Sequence, residues 1–368
     1  MASDATTTNG ALGGEPLLVV NDLKTHFQTP RGLVRAVDGV TFTLDRGKTL
    51  GVVGESGSGK TVLSRTIMKL NLGSNVITEG SVRYQGKELL DLKPKQMRDY
   101  WGREISMIFQ DPMTSLNPVV RIGRQVTEHL RHHLDMDKEA ASDTALQLLK
   151  AVRIPEPAER LRAYPHELSG GMRQRVSIAI AMACGPKLLF ADEPTTALDV
   201  TVQHQIMNLL AREQNERDMA MVLVTHDLGV VAGRTDEIAV MYAGRIVEKA
   251  PTGMLFDNVR MPYTEALLRS IPRTTQKNHT RLAAIPGRPP DLINPPTGCA
   301  FSPRCAYAQD KCFEEMPPLV EAGPGHTYRC HLPVGSDANA EAFEKNLAKG
   351  LPQAVAIKQH GKSVGEVA

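Results

Sequence analysis

The chain has 368 residues, enough for a large core and for two or three domains. Lys and Arg total 43 against 41 Asp and Glu, and aromatics are only 4%, so the chain lacks both the basic excess of a general nucleic-acid binder and its stacking platforms. No apolar run approaches the roughly 20 residues of a membrane helix; the longest, Val176–Cys184, contains Ser177.

Residues 1–15 carry no basic n-region and no apolar h-region, and read as a flexible leader rather than a signal peptide. The protein is therefore expected to be cytosolic or peripheral to a membrane. Leu17–Val20 and Ala36–Leu44 read as strands joined by turn chemistry at Thr29-Pro30-Arg31-Gly32. Phe27, just before that turn, is either a base-stacking aromatic or an ordinary strand residue.

Leu50, Val52 and Val53 form an apolar strand that runs into Gly54-Glu55-Ser56-Gly57-Ser58-Gly59-Lys60-Thr61. This fits G-x-x-x-x-G-K-[ST], and the apolar spacing of Val62, Leu63, Ile67 and Met68 supplies the helix the motif requires. Glycines let the backbone bend around a polyphosphate, successive N–H groups converge on anionic oxygens, and the helix adds the positive end of its dipole. Lys60 is expected to reach the β- and γ-phosphates and the Thr61 hydroxyl to bind Mg²⁺.

Gly80–Leu92 reads as a hairpin edge, and Glu104–Gln110 as a buried strand that delivers Gln110 to its carboxyl end, where ligands of α/β sheets collect. Val119–Val152 has helical spacing and reads as an all-helical insertion, ended by Pro155 and Pro157. Ser169-Gly170-Gly171 opens the next helix with a capping hydroxyl and a bare backbone, a second anion-binding terminus. Leu188–Ala191 is an apolar strand ending in Asp192 and Glu193. Following a phosphate loop, Asp192 is placed to hold Mg²⁺ through water and Glu193 to orient or deprotonate attacking water. Pro194–Asp199 leads into a helix through Leu210; Met219–Thr225 is another buried strand, followed by His226; Glu237–Met241 and Arg245–Glu248 form a last hairpin.

In this order the pieces resemble the nucleotide-binding subunits of ABC transporters, over about residues 16–270. Gly54–Thr61 resembles Walker A, Gln110 the Q-loop, Leu168–Gln174 the signature, Leu188–Asp192 Walker B, Ala197–Asp199 the D-loop and His226 the switch histidine. Gln110–Pro118, Met241–Gly244, Pro262–Leu268 and the Pro286…Cys312 tail resemble more closely the dipeptide/oligopeptide importer ATPases; nickel importers share part of this.

The resemblance implies a P-loop NTPase of α/β class: a RecA-like core, an antiparallel β subdomain, a helical subdomain at about 112–175, a Cys-rich domain at 271–335 and a tail at 336–368. It implies ATP contacts from Phe27, Ser56, Gly57, Ser58, Gly59, Lys60, Thr61, Val62, Gln110 and Asp192, with Ser169, Gly170, Gly171 and Asp199 acting across a head-to-tail dimer. Mg²⁺ would be held by Thr61, Gln110 and Asp192, while Glu193, His226, Gln110 and Lys60 would serve hydrolysis. The implied partners are a second, paralogous ATPase subunit, two permeases and an extracytoplasmic peptide-binding protein, with no nucleic acid, at the cytoplasmic face of a bacterial inner membrane. Rival readings are a nickel importer, a soluble ABC ATPase acting on nucleic acid or ribosomes, and a small-molecule kinase, the last leaving Leu168–Gln174 unexplained.

Of five cysteines, Cys184 stands alone in an apolar segment and is expected to be a core thiol. The others are spaced Cys299-x5-Cys305-x6-Cys312-x17-Cys330. Structural zinc generally uses tight Cys-x2–4-Cys knuckles, which are absent, whereas wider loops suit a [4Fe–4S] cubane. Cluster, zinc and reduced or disulfide-linked thiols are the three readings, and the importer resemblance favours the cluster.

Overall fold

The computed structural model describes residues 15–71, 73–111, 115–195, 198–271 and 285–360. Two sheets organise them. The smaller is antiparallel: β1 (Leu18–Thr29) pairs with β2 (Gly32–Leu44) and β4 (Val76–Tyr84), and β5 (Lys87–Glu88) edges β4. The larger contains β3 (Thr49–Val53), β6 (Ile105–Ile108), β7 (Leu188–Asp192), β8 (Ala220–Thr225), β9 (Glu237–Tyr242), β10 (Arg245–Pro251), β11 (Val320–Gly323) and β12 (His326–Tyr328).

Its order is β11-β12-β10-β9-β3-β8-β7-β6, with β6, β7, β8, β3 and β9 mutually parallel. Parallel strands are covered on both faces and so read as continuous apolar runs. Each residue of β3, β7 and β8 is buried. Successive side chains enter opposite cores: Leu50, Val52, Leu188, Phe190, Val222 and Val224 face the core shared with the antiparallel sheet. Val53, Leu189, Ala191, Met221 and Leu223 face the core shared with the helices.

The expected insertion is two helices, Ile122–His133 and Lys138–Ala151. Ile122, Val126 and Leu130 recur every four residues and are buried, and Asp137 caps the second helix by accepting from Ala140 N–H at 2.8 Å. Cys184 is partly buried, its thiol donating to the His129 carbonyl at 3.6 Å.

The last hairpin expected from sequence, β9–β10, is not the sheet's edge. β10 pairs onward with β12 through Glu248–Tyr328 and Lys249–Thr327, so the cysteine-bearing segment extends the larger sheet. A buried Glu248 carboxylate reinforces the join, accepting from Arg260 N–H at 2.6 Å and Met261 N–H at 3.0 Å and lying 2.8 Å from His326 Nε2. In the tail, one helix spans Asp337–Ala348 and a second covers Pro352–His360. Ala342 and Ala354 pack there beside Ala306 and Tyr307. Among the described residues, no helix is long and apolar enough to cross a membrane.

Candidate nucleotide site

The sheet order assembles the site. Because β6, β7, β8 and β3 are parallel neighbours, the residues leaving their carboxyl ends lie side by side: Gln110 after β6, Asp192 and Glu193 at β7, His226 after β8 and Gly54–Thr61 after β3. Residues up to 172 apart in sequence need no further device to meet than strand pairing.

Glycine is obligatory at two points of the loop. A Cβ on Gly54 would lie 2.2 Å from the Met241 carbonyl oxygen. One on Gly59, at φ +103°, would lie 2.1 Å from that of Ala36. Lys60 heads the helix Lys60–Ile67 and is 6% exposed, its ammonium donating to the carbonyls of Gly54 at 2.7 Å and Glu55 at 2.9 Å. Burial lowers its pKa, against the attraction of Glu193, Asp192 and Glu55. The buried Ser58 hydroxyl finds no partner among the described residues. Ser56 and Gly57 are exposed and Val62 partly exposed.

Thr61 and Asp192 meet: the Thr61 hydroxyl donates to Asp192 Oδ1 at 3.1 Å. Asp192 is fully buried, and its other oxygen, Oδ2, has no hydrogen-bond partner among the described residues. Burial raises the pKa of Asp192, the Thr61 bond opposes that, and the Glu193 charge adds to it. A buried, half-satisfied carboxylate beside a hydroxyl and a second carboxylate is a donor set suited to a hard divalent cation.

Glu193 has φ +47°, a left-handed conformation that costs an ordinary residue about 1–3 kcal/mol. It is held there because its N–H donates to the Val224 carbonyl at 2.9 Å, continuing the β7–β8 pairing by one residue. Its carboxylate accepts from Gln110 Nε2 at 3.1 Å and from His226 Nδ1 at 3.1 Å. The three side chains that sequence reading selected separately thus form one hydrogen-bonded group.

Ser169 caps the helix Gly170–Met182, accepting from Met172 N–H at 3.3 Å, and a Cβ on Gly170 would meet open space. Among the described residues, none of Ser169, Gly170 or Gly171 hydrogen-bonds to the phosphate loop. Asp199 caps the helix Val200–Arg217 through Val202 N–H at 2.9 Å. Ala197, the first residue of the expected D-loop, lies outside the described residues. Phe27 lies on β1, opposite Val34 and Val76, and is partly exposed.

Two contributors were not selected from sequence. Gln174, fully buried, donates to the Pro194 carbonyl at 2.7 Å and so ties the signature helix to the turn after Glu193. Its place in the signature stretch was the available signal. Arg304 forks onto Glu55 of the phosphate loop at 2.6 and 2.9 Å across 249 residues; no spacing pattern announces a pairing of that range.

Cys299, Cys305, Cys312 and Cys330 all line one cavity, with Phe301, Tyr307 and His331. Burial pushes the Cys299 thiol up to about 11 and Cys330 up to about 12, and raises Cys305 as well. Among the described residues, no group of three or more His, Cys, Asp or Glu is disposed to hold a metal ion.

Comparison with known proteins agrees with this architecture. The ABC transporter family model matches residues 37–196, and the model for the oligopeptide/dipeptide transporter C-terminal region matches 247–312, which includes Arg304 and three of the four clustered cysteines. The chain is 51% identical over 317 residues to the oligopeptide transport ATP-binding protein OppD of Bacillus subtilis, covering 86% of this chain and 88% of that one. It is 50% identical to the dipeptide transport ATP-binding protein DppD of Lactococcus lactis, covering 85% and 89%. Against OppD of Salmonella typhimurium it is 47% identical, covering 91% and 99%. Among solved structures, a dimeric ATP-binding cassette in a post-hydrolysis state with ADP and Pi superposes with a TM-score of 0.59 at 26% identity, covering 64% of this chain and 98% of that one. The chain therefore belongs to the ABC transporter ATPases, in the group of oligopeptide/dipeptide transport ATP-binding proteins.

Proposed function

We propose that this chain hydrolyses ATP to energise import of di- or oligopeptides through an ABC transporter. The observation that carries the chemistry is the Gln110–Glu193–His226 group beside the phosphate loop. Lys60 would exchange its two loop carbonyls for β- and γ-phosphate oxygens. Asp192 and Thr61, with the Gln110 carbonyl, would hold Mg²⁺, which when bound neutralises charge on the phosphates. Glu193, oriented by its two partners, would position or deprotonate the attacking water, and Gln110 and His226 would register the γ-phosphate through the same contacts.

Ser169 is exposed and Gly170 and Gly171 partly so at the start of their helix, and among the described residues none of them hydrogen-bonds to the phosphate loop of the same chain, which supports their use on the nucleotide of a second ATPase subunit, here read as a paralogue. Phe27 is read as the adenine-stacking residue, and Asp199 as a contact across the dimer. Permeases would dock on the loop after Gln110 and the helical insertion, where Val119 is 79% exposed. On this reading the chain would work at the cytoplasmic face of the inner membrane, served by a peptide-binding protein.

The cysteines are read as ligands of a [4Fe–4S] cluster, on the support of their convergence on one cavity and their wide spacing, although to hold it they would have to close in from the arrangement seen here. Purified anaerobically, the protein is expected to be brown, absorbing at roughly 400 nm, and to contain iron; colourless, zinc-loaded protein would remove that reading. The transport reading is tested by ATP turnover of the assembled transporter in lipid. Peptide-loaded binding protein should stimulate it, whereas stimulation by nickel alone would reassign the substrate.

A further inference from the structure

We propose that Arg304 is a positioning residue for nucleotide binding: it neutralises and anchors the Glu55 carboxylate, so that the phosphate loop can accept a polyphosphate. The inference rests on ATP binding at Gly54–Thr61 and is independent of the peptide assignment.

The electrostatics raise the question. Glu55 is the second residue of a loop whose N–H groups are arranged to attract anions. A free carboxylate there opposes the charge the loop is built to bind. It also lies where Lys60 can be drawn to it, since Lys60 already donates to the Glu55 carbonyl.

Arg304 answers it with a fixed fork. Nη1 and Nη2 donate to the two Glu55 oxygens at 2.6 and 2.9 Å. The guanidinium is held from its other side: Nε donates to the Pro286 carbonyl at 2.9 Å, Nη1 also reaches the Tyr242 hydroxyl at 3.2 Å, and Tyr242 and Phe301 flank it at 5.9 and 5.8 Å. The Arg304 side chain is 3% exposed and that of Glu55 27%, so solvent reaches the pair only from the carboxylate side and packing sets the guanidinium's geometry. The Glu55 backbone is fixed as well, its N–H donating to the buried Tyr263 hydroxyl at 2.8 Å. The same segment then continues along the loop: Pro289, Pro290 and Leu292 share a small cleft with Glu55, Ser56, Gly57 and Ser58. The Leu292 carbonyl accepts from Arg35 N–H at 3.0 Å on β2.

Arg304 sits on the 3-10 turn Ser302–Arg304, directly before Cys305. Arg304 thus joins the cysteine segment to the phosphate loop, and the loop's charge balance depends on a residue outside the ATPase sequence motifs.

The test is a kinetic comparison in the assembled transporter. Arg304→Ala should raise KM for MgATP on the order of tenfold while changing kcat less than about twofold, the pattern of a lost binding contribution rather than lost chemistry. Adding Glu55→Gln removes the unneutralised charge and should return KM to within about threefold of wild type. A role confined to holding the segment folded predicts no such rescue. Where Arg304→Ala fails to fold, Arg304→Lys, which keeps charge but loses the fork, carries the same comparison with and without Glu55→Gln. An unchanged KM in a folded Arg304 variant, or a raised KM that Glu55→Gln leaves in place, overturns the proposal. A wild-type protein without ATP turnover would instead count against the ATPase reading.

Discussion

Gly54–Thr61 and the cysteine segment hold their shapes by opposite means. The phosphate loop is bracketed by a five-residue buried strand and an eight-residue helix, and at Gly54 and Gly59 strand carbonyls leave no room for a Cβ. Residues 285–331 contain only a 3-10 turn, the short helix Asp310–Glu314 and two short strands. They borrow structure from the ATPase body: β12 from β10, Arg304 from Glu55, and His326 from Glu248. A region with its own local scaffold can carry chemistry that fails outright when one atom moves. A region that leans on another body can adjust that body's affinity without taking part in the reaction.

The sharpest way to break the comparison is at the catalytic end. Glu193→Gln keeps the side-chain volume and still allows contacts to Gln110 and His226, yet removes the charge. It should bind ATP and lower turnover by on the order of 10²–10⁴, measured as phosphate release under saturating MgATP. Gly59→Ala probes the scaffold itself: the added methyl meets the Ala36 carbonyl at a left-handed φ, so the loop must move. A displacement approaching an ångström is expected to weaken ATP binding by on the order of a hundredfold, read by equilibrium binding of a fluorescent nucleotide. The Arg304 variants should give the smallest change, about tenfold and confined to KM. If they equalled Gly59→Ala, the segment would be part of the loop's scaffold and the contrast would collapse.

Much of this is open to reading in the sequence because the candidate site residues sit at strand ends. An apolar run followed by Gly-rich, acidic or His termini identifies both the strand and its cargo, as at Val53, Asp192 and Thr225. The hydrogen bonds within the group followed once those strands were parallel neighbours. The continuation of the sheet into β12 was not legible: His326–Tyr328 is three residues long and carries no alternating pattern. Nor was the Arg304–Glu55 pair, since a salt bridge between loops is fixed by tertiary placement and leaves no periodic trace in either segment. The break inside the helical insertion was not legible: Asp135 at φ +51° and the Asp137 cap divide one apolar pattern into two helices.

The most direct test of the whole account is ATP-driven uptake of a labelled oligopeptide into proteoliposomes carrying the assembled transporter, with this chain as wild type or as Glu193→Gln. The account predicts peptide accumulation that requires MgATP and is lost with Glu193→Gln although that variant still binds nucleotide. Undiminished uptake with Glu193→Gln, or no ATP-dependent peptide uptake by the wild type alongside active ATP hydrolysis, would contradict it.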